Sequence, residues 1–380
     1  MTRRLLTLNA GSSSIKFALF SVEGGLQQAE HQGQVDGIGT RSGPAGHAQA
    51  LQQVMAHIGG ADIAAVGHRI VHGGTRFETP CLIDEQVATD IESLTPLAPL
   101  HQPHNLAGVR AAQAAFPGVP QVACFDTAFH RTMPEVQQRF ALPDELFQRG
   151  IRRYGFHGLS YESITLQLRQ QHPALTAGRV VVAHLGNGCS MCAVQDGRSV
   201  ATTMSFSPLD GLTMGTRCGR LDAAVVLHLQ QQEGFSTEEV SRLLHKGSGL
   251  LGLSGLSSDM RELEAAARTG HAGAQRALEH FAEQVLKELA ALAATLRGLD
   301  ALVFTGGIGE NGAALRERIV EGAAWLGLRL DPEANARGPG TITIQGSPVQ
   351  ALVMKTNEEA VIAGHTARLA LLSRQAPPAT

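Results

Sequence analysis

Two stretches of this chain share one grammar: an apolar strand, a polar glycine-bearing turn and a returning strand. The first runs Leu5–Leu8, then Asn9-Ala10-Gly11-Ser12-Ser13-Ser14, then Ile15–Phe20. The second runs Arg179–Ala183, then His184-Leu185-Gly186-Asn187-Gly188, then Cys189–Gln195, with Asp196-Gly197 opening another hairpin before Ser199–Met204. Period-two alternation marks the strands, and the glycines permit the tight turns between them. The repetition reads as an internal duplication in which each half carries a phosphate-facing hairpin, although any two β-hairpins share this much.

Strands then alternate with helices. Ala64–Val71 reads as a strand ending in His72-Gly73-Gly74, and Gln121–Phe125 as a strand ending at Asp126. Gly273–Arg297 reads as a helix, with Leu278, Phe281, Val285, Leu289 and Leu292 along one face. Ala301–Phe304 is a buried strand that runs into a turn, Thr305-Gly306-Gly307-Ile308-Gly309-Glu310-Asn311, followed by a helix over Ala313–Leu326. The theme returns once more: strand Gln350–Met354, turn Lys355–Glu359, helix Ala360–Leu372, and a frayed tail over 375–380. Such alternation specifies an α/β architecture.

At roughly 100–200 residues per domain, 380 residues suggest two to three domains. With 43% hydrophobic and 17% charged residues, the chain can bury a large core, and a net charge of −3 speaks against a nucleic-acid partner. No apolar run reaches the length of a membrane span or of a signal-peptide core, so a cytoplasmic location is expected. Five cysteines, an odd number, do not make a disulfide framework, and the Cys189-Ser-Met-Cys192 pair sits in a strand, unlike a redox or zinc motif.

The polar residues with chemistry gather where strands end: Asn9, Arg69, Asp126, His184, Gly306 and Asn357. In open α/β sheets, ligands sit at the carboxyl ends of strands. Three glycine-rich turns after strands favour a nucleotide, yet the P-loop pattern does not occur. Arg69, in G-H-R-I-V-H-G-G, and Arg217, in M-G-T-R-C-G, read as arginines in glycine-flanked turns, suited to a carboxylate or phosphate. His157, in R-Y-G-F-H-G-L-S, reads on its own context as a satisfied core histidine.

From L-N-A-G-S-S-S-I-K-F onward the sequence resembles the acetate kinase family. The resemblance continues in order through G-H-R-I-V-H-G-G, C-F-D-T-A-F-H-R-T-M-P, R-Y-G-F-H-G-L-S, H-L-G-N-G, M-G-T-R, G-L-S-S-D-M-R-E-L, G-G-I-G-E-N and T-N-E-E. It implies a two-domain fold of the actin and sugar-kinase superfamily, each domain built on a repeated mixed β-sheet core flanked by helices. The implied domains are 1–127 with 360–380, and 128–359. It implies reversible transfer of the γ-phosphoryl group of ATP to acetate, giving acetyl phosphate and ADP, with Mg²⁺ (or Mn²⁺) and in a homodimer. Propionate is the alternative acceptor.

Residue by residue, the resemblance gives Asn9 and Glu358 to the metal and Lys16 to the nucleotide phosphates. It gives Arg69 to acetate, Asp126 to proton transfer, and His157 and Arg217 to transition-state stabilisation. His184, Leu185, Gly186, Asn187 and Gly188 match one nucleotide loop, Asp259, Met260 and Arg261 a second, and Gly307, Ile308, Gly309, Glu310 and Asn311 a third. Val71, Leu100, Phe156 and Pro208 match the lining of the acetate methyl pocket. A carboxylate with a pKa near 4–5 is already ionised at neutral pH and needs no base. Asp126 therefore reads more readily as an orienter of an arginine or of the metal than as a proton acceptor. The chain departs from the family's pattern at Arg220, where an acidic residue is usual, and at Gln102 and His104 in L-H-Q-P-H-N, while keeping His101.

Overall fold

The computed structural model describes residues 3–372, so the tail expected to fray at 375–380 lies outside the described residues. Two six-stranded mixed sheets organise the chain. The first contains β1 (Arg4–Ala10), β2 (Ser14–Ser21), β3 (His31–Asp36), β4 (Ile63–Ile70), β5 (Cys81–Leu82) and β6 (Gln121–Phe125), in the order β3-β2-β1-β4-β6-β5. The second contains β7 (Arg179–Leu185), β8 (Cys189–Gln195), β9 (Arg198–Thr202), β10 (Ala301–Thr305), β11 (Gly340–Thr341) and β12 (Gln350–Val353). Its order, β9-β8-β7-β10-β12-β11, repeats the first.

The strand senses repeat as well. β1 is antiparallel to β2 and parallel to β4, which is parallel to β6, with β5 antiparallel at the edge. Likewise β7 is antiparallel to β8 and parallel to β10, which is parallel to β12, with β11 antiparallel at the edge. Agreement in order and sense across all six strands meets the expectation of a repeated sheet, which hairpin resemblance alone left open.

Burial explains why each sheet forms. In β1 and β2, Leu6, Leu8, Phe17 and Leu19 pack with Leu51, Val54 and Ala112, whereas Leu5, Ala18 and Phe20 pack with Val361, Ile362 and Ala363. Period-two alternation thus feeds two cores, one on each face. Each large side chain so buried contributes about 1.5–3 kcal/mol. At Gly67 of β4 a Cβ would collide with Ile362 and Thr366, so the helix Glu358–Ala367 can lie directly on the strand there. Of the central strands, β6 and β10 are buried along their whole length, as strands covered on both faces must be. In the second unit the helix Ala272–Leu296 buries Phe281, Val285, Leu289 and Leu292, as its periodicity predicts, while Leu278 is only half-buried.

Several boundaries shift. Asn9 and Ala10 belong to β1, and His184 and Leu185 to β7, so both hairpin turns are tighter than the sequence suggested. The segment read as a turn after β10 is a short helix, Gly306–Asn311, entered through Gly306 at φ 76°. The following helix, Ala313–Gly322, stops early, and Ala324–Leu326 is a separate 3₁₀ turn. The last helix begins at Glu358 rather than Ala360. Asp196 and Gly197 both take positive φ, as the hairpin between β8 and β9 requires.

The chain divides into two compact units. One holds the residues up to Arg131, Gly158–Ser163 and those from Asn357 onward; the other holds Thr132–His157 and Ile164–Thr356. Residues 128–131, 158–163 and 357–359 thus fall with the first unit, whereas the sequence grouped them with the second. Among the described residues, no helix is long and apolar enough to cross a membrane.

Candidate active site

In the first unit the carboxyl ends of the parallel strands converge on Arg69. This residue stands in β4, as the strand read over Ala64–Val71 requires, and not in the turn its glycine neighbours suggested. Its Nε donates to Asp126 Oδ1 at 3.0 Å and its Nη2 to Asp126 Oδ2 at 2.6 Å, a two-pronged pair in which the Asp126 side chain is 2% exposed. Nη1 donates to Asn9 Oδ1 at 3.4 Å, and Glu358 Oε2 lies 3.9 Å from Nε. Lys16 stands on β2 directly opposite Asn9 in the β1–β2 register. Burial works against the Arg69 charge, but Asp126 and Glu358 outweigh it and hold the guanidinium well above its usual range. Burial pushes the Glu358 carboxyl up to about 7; Arg69 opposes that shift, while Asp126 and Glu359 add to it. Asp126 thus serves as the fixed partner of Arg69.

This end of the sheet is braced from the helix Gln102–Ala115. Asn105 Oδ1 accepts from Val71 N at 2.9 Å, and Asn105 Nδ2 donates to the Ala10 carbonyl at 2.7 Å, tying the ends of β4 and β1 together. Sequence reading passed over Asn105, although it closes the L-H-Q-P-H-N block. In the same block, Gln102 is fully buried and donates to the His72 carbonyl at 3.0 Å, and His104 stacks on His47 at 5.6 Å. Val71 is buried, whereas Leu100 is 44% exposed.

In the second unit, Gly186, Asn187 and Gly188 link β7 to β8. His157 adopts the left-handed conformation at φ 58°, and its Nδ1 lies 2.8 Å from Ser190 Oγ on β8. Its ring stacks on His184 at 4.3 Å. A non-glycine residue at positive φ is uncommon, and among the described residues Asp196 and Arg297 share the conformation. Arg217 Nη1 donates to the Pro208 carbonyl at 2.6 Å. Burial pulls the Arg217 pKa below its usual value. A Cβ on Gly188 would lie 2.6 Å from Arg217 Nη2 and 3.3 Å from His157 Nε2, so both side chains lie close to this glycine. Phe156, the neighbour of His157, is fully buried.

Beside the Gly186–Gly188 turn lies a cleft of about 810 Å³, lined by Gly186, Asn187, Asp259, Met260, Arg261, Gly307, Ile308 and Asn311 from the three loops singled out in the sequence. Ser258, Glu264 and Gly312, which the sequence did not mark, complete it. Other motif members are absent from the lining. Leu185 is fully buried, Gly309 is buried against Phe304, and Glu310 turns back to accept from Gly306 N at 3.1 Å and Thr356 N at 3.4 Å. These residues shape the loops. Asp259 caps the helix Met260–Arg268 and chelates Arg261 at 2.6 Å, which holds its carboxyl down at about 2.

Two features outside these groups also resolve. Arg220 pairs with Glu288 at 2.9 Å, where Glu288 is buried in the helix Ala272–Leu296. Cys189 and Cys192 are thiols outside any disulfide, in β8, that burial pushes up to about 12, a range in which neither is an effective nucleophile.

The acetokinase family model matches residues 4–364. Acetate kinase of Methylocella silvestris is 48% identical over 99% of this chain and 100% of its own length. Acetate kinase of Deinococcus deserti is 48% identical over 95% and 96%. Among solved structures, Porphyromonas gingivalis acetate kinase superposes with a TM-score of 0.88 at 36% identity, covering 97% of this chain and 99% of its own. A propionate kinase from Francisella tularensis superposes with a TM-score of 0.87 at 39% identity, covering 97% and 100%. Matched by that family model over residues 4–364 and by relatives across nearly its whole length, the chain belongs to the acetokinase family.

Proposed function

We propose that this chain transfers the γ-phosphoryl group of ATP to acetate, reversibly, forming acetyl phosphate and ADP. The observation that carries the reading is Arg69: a permanently charged guanidinium whose Nε and Nη2 are committed to Asp126, standing two residues from the buried apolar Val71. A small carboxylate fits such a seat, with its charge against the arginine and its methyl against the aliphatic side chain. Acetate, already ionised, attacks phosphorus directly through one carboxylate oxygen, so no base is required. Asp126, paired with Arg69, orients the guanidinium.

Phosphoryl transfer passes through a loose, charge-dispersed state, in which the protein acts by positioning and electrostatics. Arg217, beside Gly188, supplies positive charge for it, and His157 on the same glycine offers a hydrogen-bonding ring nitrogen. The cleft of about 810 Å³ takes the nucleotide, with Lys16 assigned to its phosphates.

The residues present fit Mg²⁺. The Asn9 amide oxygen and the Glu358 carboxylate are hard oxygen donors, and both lie close to Arg69, at 3.4 and 3.9 Å. Mn²⁺ shares the preference. When bound, the ion neutralises phosphate charge.

The similarity to a propionate kinase gives the second reading, a three-carbon acceptor in the same seat. Comparing kcat/KM for acetate and propionate decides between them. Acetate is expected to lead, and a higher value for propionate would reverse the assignment. A homodimer fits the helix Ala223–Gln231, which buries none of its residues although it carries Val225 and Leu227, 39% and 53% exposed. A second copy would cover this face, and sedimentation that finds a monomer at micromolar concentration would refute it.

A further inference from the structure

Arg316, on the helix Ala313–Gly322, heads the fully buried side chains by size, at 1% exposure. It makes four hydrogen bonds. Nε donates to Asn335 Oδ1 and Nη2 to the Asn335 carbonyl, both at 2.8 Å; Nη1 donates to the carbonyls of Gly309 and Glu310, both at 2.9 Å. Every acceptor is neutral. Among the described residues no carboxylate lies within ion-pairing distance of this guanidinium, whereas Arg69, Arg179 and Arg220 each have one.

Asn335 is itself anchored. It is 3% exposed, donates from Nδ2 to the Ala313 carbonyl at 2.9 Å, and bonds through its backbone N to Asp331 O at 2.9 Å. The guanidinium is therefore held from behind by a buried amide. In front it grips the carbonyls of Gly309 and Glu310, in the same short helix that contributes Gly307, Ile308 and Asn311 to the cleft. A buried cation without a counter-charge is costly, and in a low-dielectric setting its field extends well beyond its hydrogen bonds.

We propose that Arg316 is a positioning residue for the nucleotide polyphosphate. It clamps the Gly306–Asn311 helix by its carbonyls, and its charge gains a counter-ion when phosphates occupy the cleft. The proposal rests on the reading of that cleft as the nucleotide site. Two consequences separate it from simple scaffolding. The benefit grows with the ligand's phosphate charge, and it falls on nucleotide affinity more than on turnover.

The test is equilibrium binding of ATP, ADP and adenosine, with steady-state kinetics, to wild type, Arg316→Gln, Arg316→Lys, Asn335→Asp and Gly307→Val. Arg316→Gln is expected to weaken ATP about tenfold and ADP somewhat less, with adenosine within about twofold, and to raise KM for ATP far more than it lowers kcat. Arg316→Lys should recover about threefold of the ATP loss, because the charge returns while the fork does not. Asn335→Asp places a carboxylate against Arg316 and should also weaken ATP selectively, which keeps the proposal testable if Arg316→Gln does not fold. ATP affinity within twofold of wild type in a folded Arg316→Gln or Asn335→Asp variant overturns the proposal. So does a loss of adenosine in step with ATP. A Cβ at Gly307 meets nothing within 4 Å, so Gly307→Val should fold and obstruct the cleft. Should Gly307→Val block nucleotide while Arg316→Gln does not weaken it, only the role of Arg316 fails. If Gly307→Val binds ATP normally, the nucleotide reading of the cleft fails with it.

Discussion

Replacing Gly188 with alanine should disable catalysis while leaving the fold and the nucleotide site largely intact. The three atoms nearest to a new Cβ are all side-chain atoms: Arg217 Nη2 at 2.6 Å, and His157 Nε2 and Cε1 at 3.3 and 3.5 Å. The backbone therefore need not shift, but Arg217 must retreat by about 0.8 Å to reach ordinary contact at 3.4 Å. It cannot do so freely, because Nη1 is tethered to the Pro208 carbonyl and His157 to Ser190. A misplacement near 1 Å costs about 10²-fold in rate, and losing one charge-stabilising group costs about 10²–10³-fold. kcat is thus expected to fall by about 10²–10³. Overpacking costs about 1–3 kcal/mol, which lowers Tm by a few degrees per kcal/mol in a unit of this size. The assay is acyl-phosphate formation trapped by hydroxylamine, with ADP affinity by calorimetry and Tm alongside. A folded Gly188→Ala enzyme with kcat within about threefold of wild type would remove His157 and Arg217 from charge stabilisation. An equal loss of ADP affinity would place the damage in the cleft instead.

Three further outcomes follow from the same geometry. Asp126→Asn should raise KM for acetate at least tenfold, because a neutral partner loses the charge-assisted fork on Arg69, without abolishing kcat as removal of an essential base would; a kcat loss beyond 10⁴ at saturating acetate would restore a proton-transfer role. Val71→Ala should raise the propionate-to-acetate ratio of kcat/KM by a few-fold by opening space for one methylene, worth about 0.8 kcal/mol, and an unchanged ratio would take Val71 out of the acceptor seat. His68, 2% exposed and 2.7 Å from Gln121 Oε1, is held down at about 4 by burial. Its folded pKa lies below the unfolded value of 6.5, so its contribution is complete above pH 6.5 and drains away as pH falls towards 4. Urea unfolding of His68→Gln should therefore show a pH slope smaller than wild type by about 1.4 kcal/mol per unit in that window, and identical slopes would refute the assignment. Glu358, raised to about 7, runs in the opposite sense but equally in both proteins.

The strand framework was legible because burial imposes period two directly: β6 and β8 fall on the residues the sequence marked, and β4 within one residue at each end. The duplication was legible only as two similar hairpins. Its proof is the sheet order, which long-range pairing fixes and no local window contains. The helix Gly306–Asn311 was missed because its three glycines read as a turn, whereas carbonyl contacts from Arg316, ten positions after Gly306, help to hold it helical. Among the site residues, Asn9, Arg69 and His184 stood out because each is the penultimate residue of a strand. Ser258, Glu264 and Gly312 did not, since they enter the cleft only through the packing of separate loops. Motif membership also hid a division of labour: Glu310 and Gly309 shape a loop whose neighbours line the cleft. The Arg220 departure is answered across the fold by Glu288, a partner invisible from sequence distance.

The central claim is that a carboxylate oxygen of acetate, and not an oxygen of phosphate or water, makes the new bond to phosphorus. Acetate labelled with ¹⁸O in both oxygens, incubated with ATP and Mg²⁺, tests it in one phosphorus NMR spectrum. Acetyl phosphate should form with ¹⁸O bonded to phosphorus, displaying the corresponding isotope shift. Acetyl phosphate whose phosphorus bears no label, or the absence of any acyl phosphate from a folded enzyme, would contradict the account.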